Sequence, residues 1–70
     1  MRESLRQARK DKDMTQQKIA DILSIDIRYY KSIEKGERLG GIWIWDKLED
    51  ILGVNQRVLR EIHPDIAKNP

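Results

Sequence analysis

Residues 15–36, TQQKIADILSIDIRYYKSIEKG, decide how this chain folds. Thr15 is a good N-cap, because its hydroxyl can accept from a first-turn backbone N–H that has no partner inside the helix. Behind it Ile19, Ala20, Ile22 and Leu23 recur at helical spacing and form the expected apolar face. Ser24-Ile25-Asp26 breaks the run, and Asp26 can cap a second helix whose Tyr30 and Ile33, three residues apart, face inward. Gly36 stops that helix, since glycine tolerates the left-handed conformation common at helix ends. Ala20 falls where the two helices should cross, and a large side chain there would hold them apart. The pattern predicts two short helices meeting across a tight turn, with Ile25 as the buried residue of that turn.

The flanks extend this reading. Leu5 and Ala8 predict a first helix over residues 2–10, with the arginines outward. Asp11-Lys12-Asp13 is its connection, and Met14 an apolar staple ahead of the Thr15 cap. Residues 37–41, with the pair Gly40-Gly41, read as a loop. The next four residues, Ile-Trp-Ile-Trp, fit a strand by propensity alone. A longer window decides for a helix over residues 42–52: Ile42, Trp45, Leu48 and Leu52 recur at spacings of three, three and four, and Gly53 closes the run. Trp43 and Trp45 cannot share a face, being about 200° apart on a helix. The stripe takes Trp45, which leaves Trp43 and Ile44 nearer the surface, either packed on the next helix or the Leu39 loop or forming a dimer or partner seam. Asn55 caps a fifth helix with Val58, Leu59 and Ile62 inward, and Pro64 ends it. The expectation is an all-α bundle of five helices, one domain over residues 1–64 with a flexible tail at 65–70.

Composition narrows the function. Seventy residues bury a modest core. The absence of cysteine removes disulfides and cysteine-ligated zinc. The longest apolar stretch is far too short to span a bilayer and no signal peptide opens the chain, so a cytoplasmic location is expected. Net charge is only +2, but residues 1–38 carry ten Lys/Arg against seven Asp/Glu, while residues 39–70 carry four against five. A basic half suits a face that meets phosphates, although a charge-rich solvated surface gives the same numbers. No nucleophile–base pair, metal cluster or phosphate loop is visible, so neither an enzyme nor a cofactor is expected. His63 has no second ligand in sight.

With those residues placed, the chain resembles the Cro/repressor-type helix-turn-helix family, also called the xenobiotic-response-element family, whose fold is lambda-repressor-like. The resemblance rests on LRQARKDKDMTQQKIA, on Tyr30-x-x-Ile33-Glu34-x-Gly36, and on Leu52-Gly53-Val54 with Leu59 behind, and covers about residues 4–62. Ser24 departs from the pattern where the turn commonly has glycine. Tyr30 replaces a smaller aliphatic anchor. Gly40-Gly41 stands where proline and a capping residue are common, and Glu49 where alanine is frequent.

The resemblance implies that the helix after Asp26 enters a DNA major groove while its predecessor lies across the backbone. By position Ile27, Arg28 and Ser32 are then the base contacts. Arg28 is the strongest, because a guanidinium can bond both acceptors of a guanine. Gln16 is implied as a phosphate contact that also braces the recognition helix, with Gln17 beside it at the same helix start. Tyr29, Lys31, Lys35 and Arg38 are further backbone contacts, flanked by Arg9 and Lys10. Glu34 reads as a salt bridge or helix-end cap rather than a catalytic acid. The expected partners are double-stranded DNA and a second copy of the chain, with repression the commoner role in the family. The competing expectation is a protein-interaction module on the same fold that leaves DNA alone.

Overall fold

The computed structural model describes residues 1–61, and among them every regular element is helical. In chain order these are α1 (Glu3–Asp11), α2 (Gln16–Leu23), α3 (Ile27–Lys35), α4 (Ile42–Leu52) and α5 (Gln56–Leu59). Ile62, His63, Pro64 and the expected tail at 65–70 lie outside the described residues.

The helix starts follow from single side chains. Thr15 Oγ1 accepts from the Lys18 N–H at 3.0 Å, Asp26 Oδ1 from the Arg28 N–H at 2.7 Å, and Asn55 Oδ1 from the Arg57 N–H at 2.8 Å. Each satisfies a first-turn donor that the helix leaves unpaired. Between α2 and α3 the chain reverses through Ser24, held left-handed at φ 58°, and the Ile25 N–H donates back to the Ala20 carbonyl at 3.0 Å. Ile25 itself is half-buried and leans on the core. Gly36 and Gly53 end α3 and α4 at φ 87° and 69°.

Leu5, Ile19, Ala20, Tyr30, Ile33, Ile44, Trp45, Leu48 and Leu59 have no exposed surface and form one core with Ala8, Leu23 and Leu52. Ala20 sits inside it, and α2 packs against α3. Met14 packs against its edge. The indole N–H of buried Trp45 donates to the Leu39 carbonyl at 2.7 Å, so the largest core side chain carries no unpaired polar group.

Four inside–outside assignments of apolar residues fail. On α4 the buried stripe is Ile44, Trp45, Leu48 and Leu52; Ile42 is 71% exposed and Ile44 is completely buried. Both isoleucines fit a helical stripe with Trp45 and Leu48, and the preceding loop chooses between them. It folds back so closely that a Cβ on Gly40 would stand 3.0 Å from Ile33 Cδ1 and 3.5 Å from Ile44 Cδ1. Ile42, at the first position of α4, has no earlier turn to cover it. On α2 the buried face is Ile19, Ala20 and Leu23, and Ile22 points out. On α5, a single turn, Leu59 is buried and Val58 is half-exposed.

Candidate nucleic-acid interface

The inner edge of α3 carries a polar network. The Glu34 carboxylate, almost wholly buried, accepts from Arg9 Nε at 3.0 Å and Arg9 Nη2 at 3.1 Å. It accepts also from the Tyr30 hydroxyl at 2.8 Å and from Gln16 Nε2 at 3.1 Å. Arg9 Nη1 donates onward to the Met14 carbonyl at 2.8 Å. The carboxylate therefore ties α3 to α1 and to the start of α2, and Arg9 carries the link on to the α1–α2 connection. Burial works against ionisation of Glu34, but the hydrogen bonds from Arg9, Tyr30 and Gln16 outweigh it and hold its carboxyl below the ordinary value. Burial and the hydrogen bond to Glu34 push the Tyr30 phenol well above its ordinary range, so it stays a donor. Hydrogen bonding to Glu34 likewise raises Arg9.

A second clamp fixes the far end of α3. The Arg2 backbone N–H donates to the Glu34 carbonyl at 2.8 Å. The Arg2 guanidinium donates to the carbonyls of Ile33 and Arg38, and lies 5.2 Å from the Trp45 ring centroid. A cation on the last carbonyls of a helix satisfies acceptors that the helix leaves open and complements its dipole.

With the inner edge occupied, α3 turns Arg28, Lys31 and Lys35 outward as exposed residues. The Arg28 side chain is 91% exposed, and its ion-pair partner among the described residues is Asp26 at 3.7 Å. Asp26, Arg28, Tyr29, Ser32, Glu37 and Arg38 line a shallow hollow along this face. Ile27 and Tyr29 are half-buried against the core. The Ser32 hydroxyl donates to the Tyr29 carbonyl at 2.7 Å, which commits its proton within the helix. Gln17 points outward at the start of α2, where its amide donates to Asp21 at 2.8 Å. Lys10 and Arg38 are exposed.

Thus Ile27, Arg28, Tyr29, Lys31, Ser32 and Lys35 all lie on α3, with Gln16 bridged to that helix through Glu34. Two expected positions change. Arg9 is no flanking phosphate contact, because its guanidinium is spent on Glu34 and Met14. Ile44 is no surface residue, being fully buried; Trp43 beside it is 51% exposed and remains on the outer face. Two contributors had no legible signal. Arg9 and Glu34 stand 25 residues apart, and Arg2 reaches 36 residues to Arg38, distances over which no helical spacing rule operates.

Among the described residues no helix is long and apolar enough to cross a membrane, and no group of His, Cys, Asp or Glu is arranged to hold a metal ion. Comparison with curated proteins and with solved structures gave no match. The family sequence model described as helix-turn-helix matches residues 5–55, well over half of the chain, from the first core residue of α1 to the cap of α5. This span joins the capped pair α2–α3 to the helices that bury it, and the chain belongs to the Cro/repressor-type helix-turn-helix family of DNA-binding regulators.

Proposed function

We propose that this protein is a cytoplasmic, sequence-specific repressor that lays α3 in the DNA major groove and acts as a two-fold dimer on a palindromic or pseudo-palindromic site. The observation that carries the reading is the division of α3. Its inner polar groups are all bonded within the domain, while Arg28 projects into solvent from its first turn. Arg28 is the principal base reader, with Ile27 beside it for a thymine methyl group and Ser32 a tolerant third contact through its acceptor lone pairs. Gln16, Gln17, Tyr29, Lys31, Lys35 and Arg38 serve the phosphate backbone.

Trp43 supports the dimer. Its neighbours Leu39 and Ile42 are exposed as well, so three large apolar side chains stand close together in sequence on a small domain. Two recognition helices would then sit about 34–36 Å apart, one duplex turn.

The test is selection of a preferred duplex followed by binding of wild type and Arg28→Ala to that duplex and to random DNA across a salt series. Arg28→Ala should lose about 1–3 kcal/mol of preference for the selected site while random-sequence affinity changes less. Equal losses on every sequence would remove Arg28 as a base reader. Absence of wild-type binding even at low salt would turn the proposal toward an interaction module.

A further inference from the structure

The α1–α3 cleft adds to the two backbone-facing lysines of α3 a second pair of cations, on α1, that neither the recognition helix nor the core requires. Arg6 and Lys10 stand four residues apart on α1, and Lys31 and Lys35 four apart on α3, and all four line one cleft of about 390 Å³. Like charges at this spacing repel along each wall, although Lys10 and Lys35 lie in the last turns of their helices, where the dipole favours a cation. Among the described residues Lys10, Lys31 and Lys35 form no salt bridge, and Arg6 meets only Glu3, at 3.6 Å and in solvent. Glu34 also borders the cleft, but its carboxylate is already bonded to Arg9, Tyr30 and Gln16 and compensates none of these four cations. The concavity is therefore positive on two sides, and clefts of one sign concentrate the field they present to an anion.

We propose that this cleft seats a phosphate group, gripped by Arg6 and Lys10 from one side and by Lys31 and Lys35 from the other. The inference rests on the DNA-binding reading above and extends it. Lys31 and Lys35 share the exposed side of α3 with Arg28, so a DNA strand passing α3 crosses the mouth of the cleft. Gln16 lines the same cleft and belongs to the first turn of α2, whose free N–H groups add positive potential at that edge. The phosphate is one of the DNA backbone, outside the bases that Arg28 reads. This gives Arg6, a residue outside the recognition pair, a part in binding.

The experiment compares wild type with the double variant Arg6→Gln, Lys10→Gln on random-sequence duplex DNA over a range of KCl, with thermal unfolding as a control. Neither side chain is in the core, so the unfolding midpoint should stay near that of wild type. The slope of log affinity against log salt should become shallower by about 0.9 for each phosphate that the variant no longer neutralises. Preference for a selected site should be retained. A wild-type slope in the folded double variant overturns the cleft and leaves the DNA reading intact. A second arm titrates inorganic phosphate into isotope-labelled protein and follows the Lys10 and Lys31 amides. If wild type fails to bind DNA but shows saturable shifts that vanish in the double variant, the cleft stands as a site for a free phosphate and the DNA reading falls. Absence of both effects overturns both.

Discussion

The two edges of α3 are built on opposite terms. Along the inner edge Tyr30 and Glu34 have every strong hydrogen-bonding group engaged, and Arg9 and Gln16 reach in from neighbouring elements to complete the set. Along the outer edge Arg28, Lys31 and Lys35 are exposed, and the two lysines have no ionic partner among the described residues. The difference separates positioning from contact. A helix of nine residues is marginal in isolation, so its orientation must come from its surroundings. Here a buried ion pair and a tyrosine supply that orientation, which leaves the outer edge free of structural duty.

The contrast makes graded predictions. Glu34→Ala should have the largest effect, because it strands the Arg9 guanidinium and the Tyr30 hydroxyl; removing one partner of a buried pair costs about 3–5 kcal/mol. Urea unfolding followed by circular dichroism measures it, and a loss below about 1 kcal/mol would mean that the inner edge does not fix α3.

A smaller effect is expected on acidification. The folded-state carboxyl of Glu34 is held below its ordinary value, so its stabilising contribution is complete above the unfolded value of about 4.3. It fades as pH falls through the lower, folded-state value. Thermal midpoints between pH 7 and pH 3 should fall in that acid window for wild type. That component should be missing in Glu34→Gln. A loss centred above pH 6 would point to another group.

The smallest change belongs to the outer edge. Lys31→Ala and Lys35→Ala should each alter stability by less than about 0.5 kcal/mol, as surface substitutions do. Each should weaken binding to all DNA sequences alike. A stability loss comparable with that of Glu34→Ala would erase the distinction between the two edges.

What can be read from sequence follows the range of the interactions involved. Thr15, Asp26 and Asn55 act on backbone groups two or three residues away, so their caps are legible from residue type and position. Tyr30 and Ile33 read as inward because their spacing puts them on one side of α3, the side its neighbours cover. The α4 stripe misleads at Ile42 and Ile44 because the packing of the Gly40 loop on Ile33 and Ile44 is set by tertiary structure, not by helical period. In the same way Glu34 is legible as an ion-pair or capping residue, while its partner Arg9 is not. The cleft beside it combines residues 6 and 10 with 31 and 35, and only the folded chain shows them as one group.

The left-handed Ser24 has a consequence for evolution and engineering. A non-glycine residue at φ 58° holds a conformation that costs on the order of 1 kcal/mol, relieved when the Cβ is removed. Ser24 is exposed, lies between the two helices of the motif, and belongs to neither edge of α3. The domain thus keeps an unused reserve at its central joint. A single change there could offset mutations that retune the outer edge toward a new DNA sequence, so specificity can drift while the fold stays above its threshold.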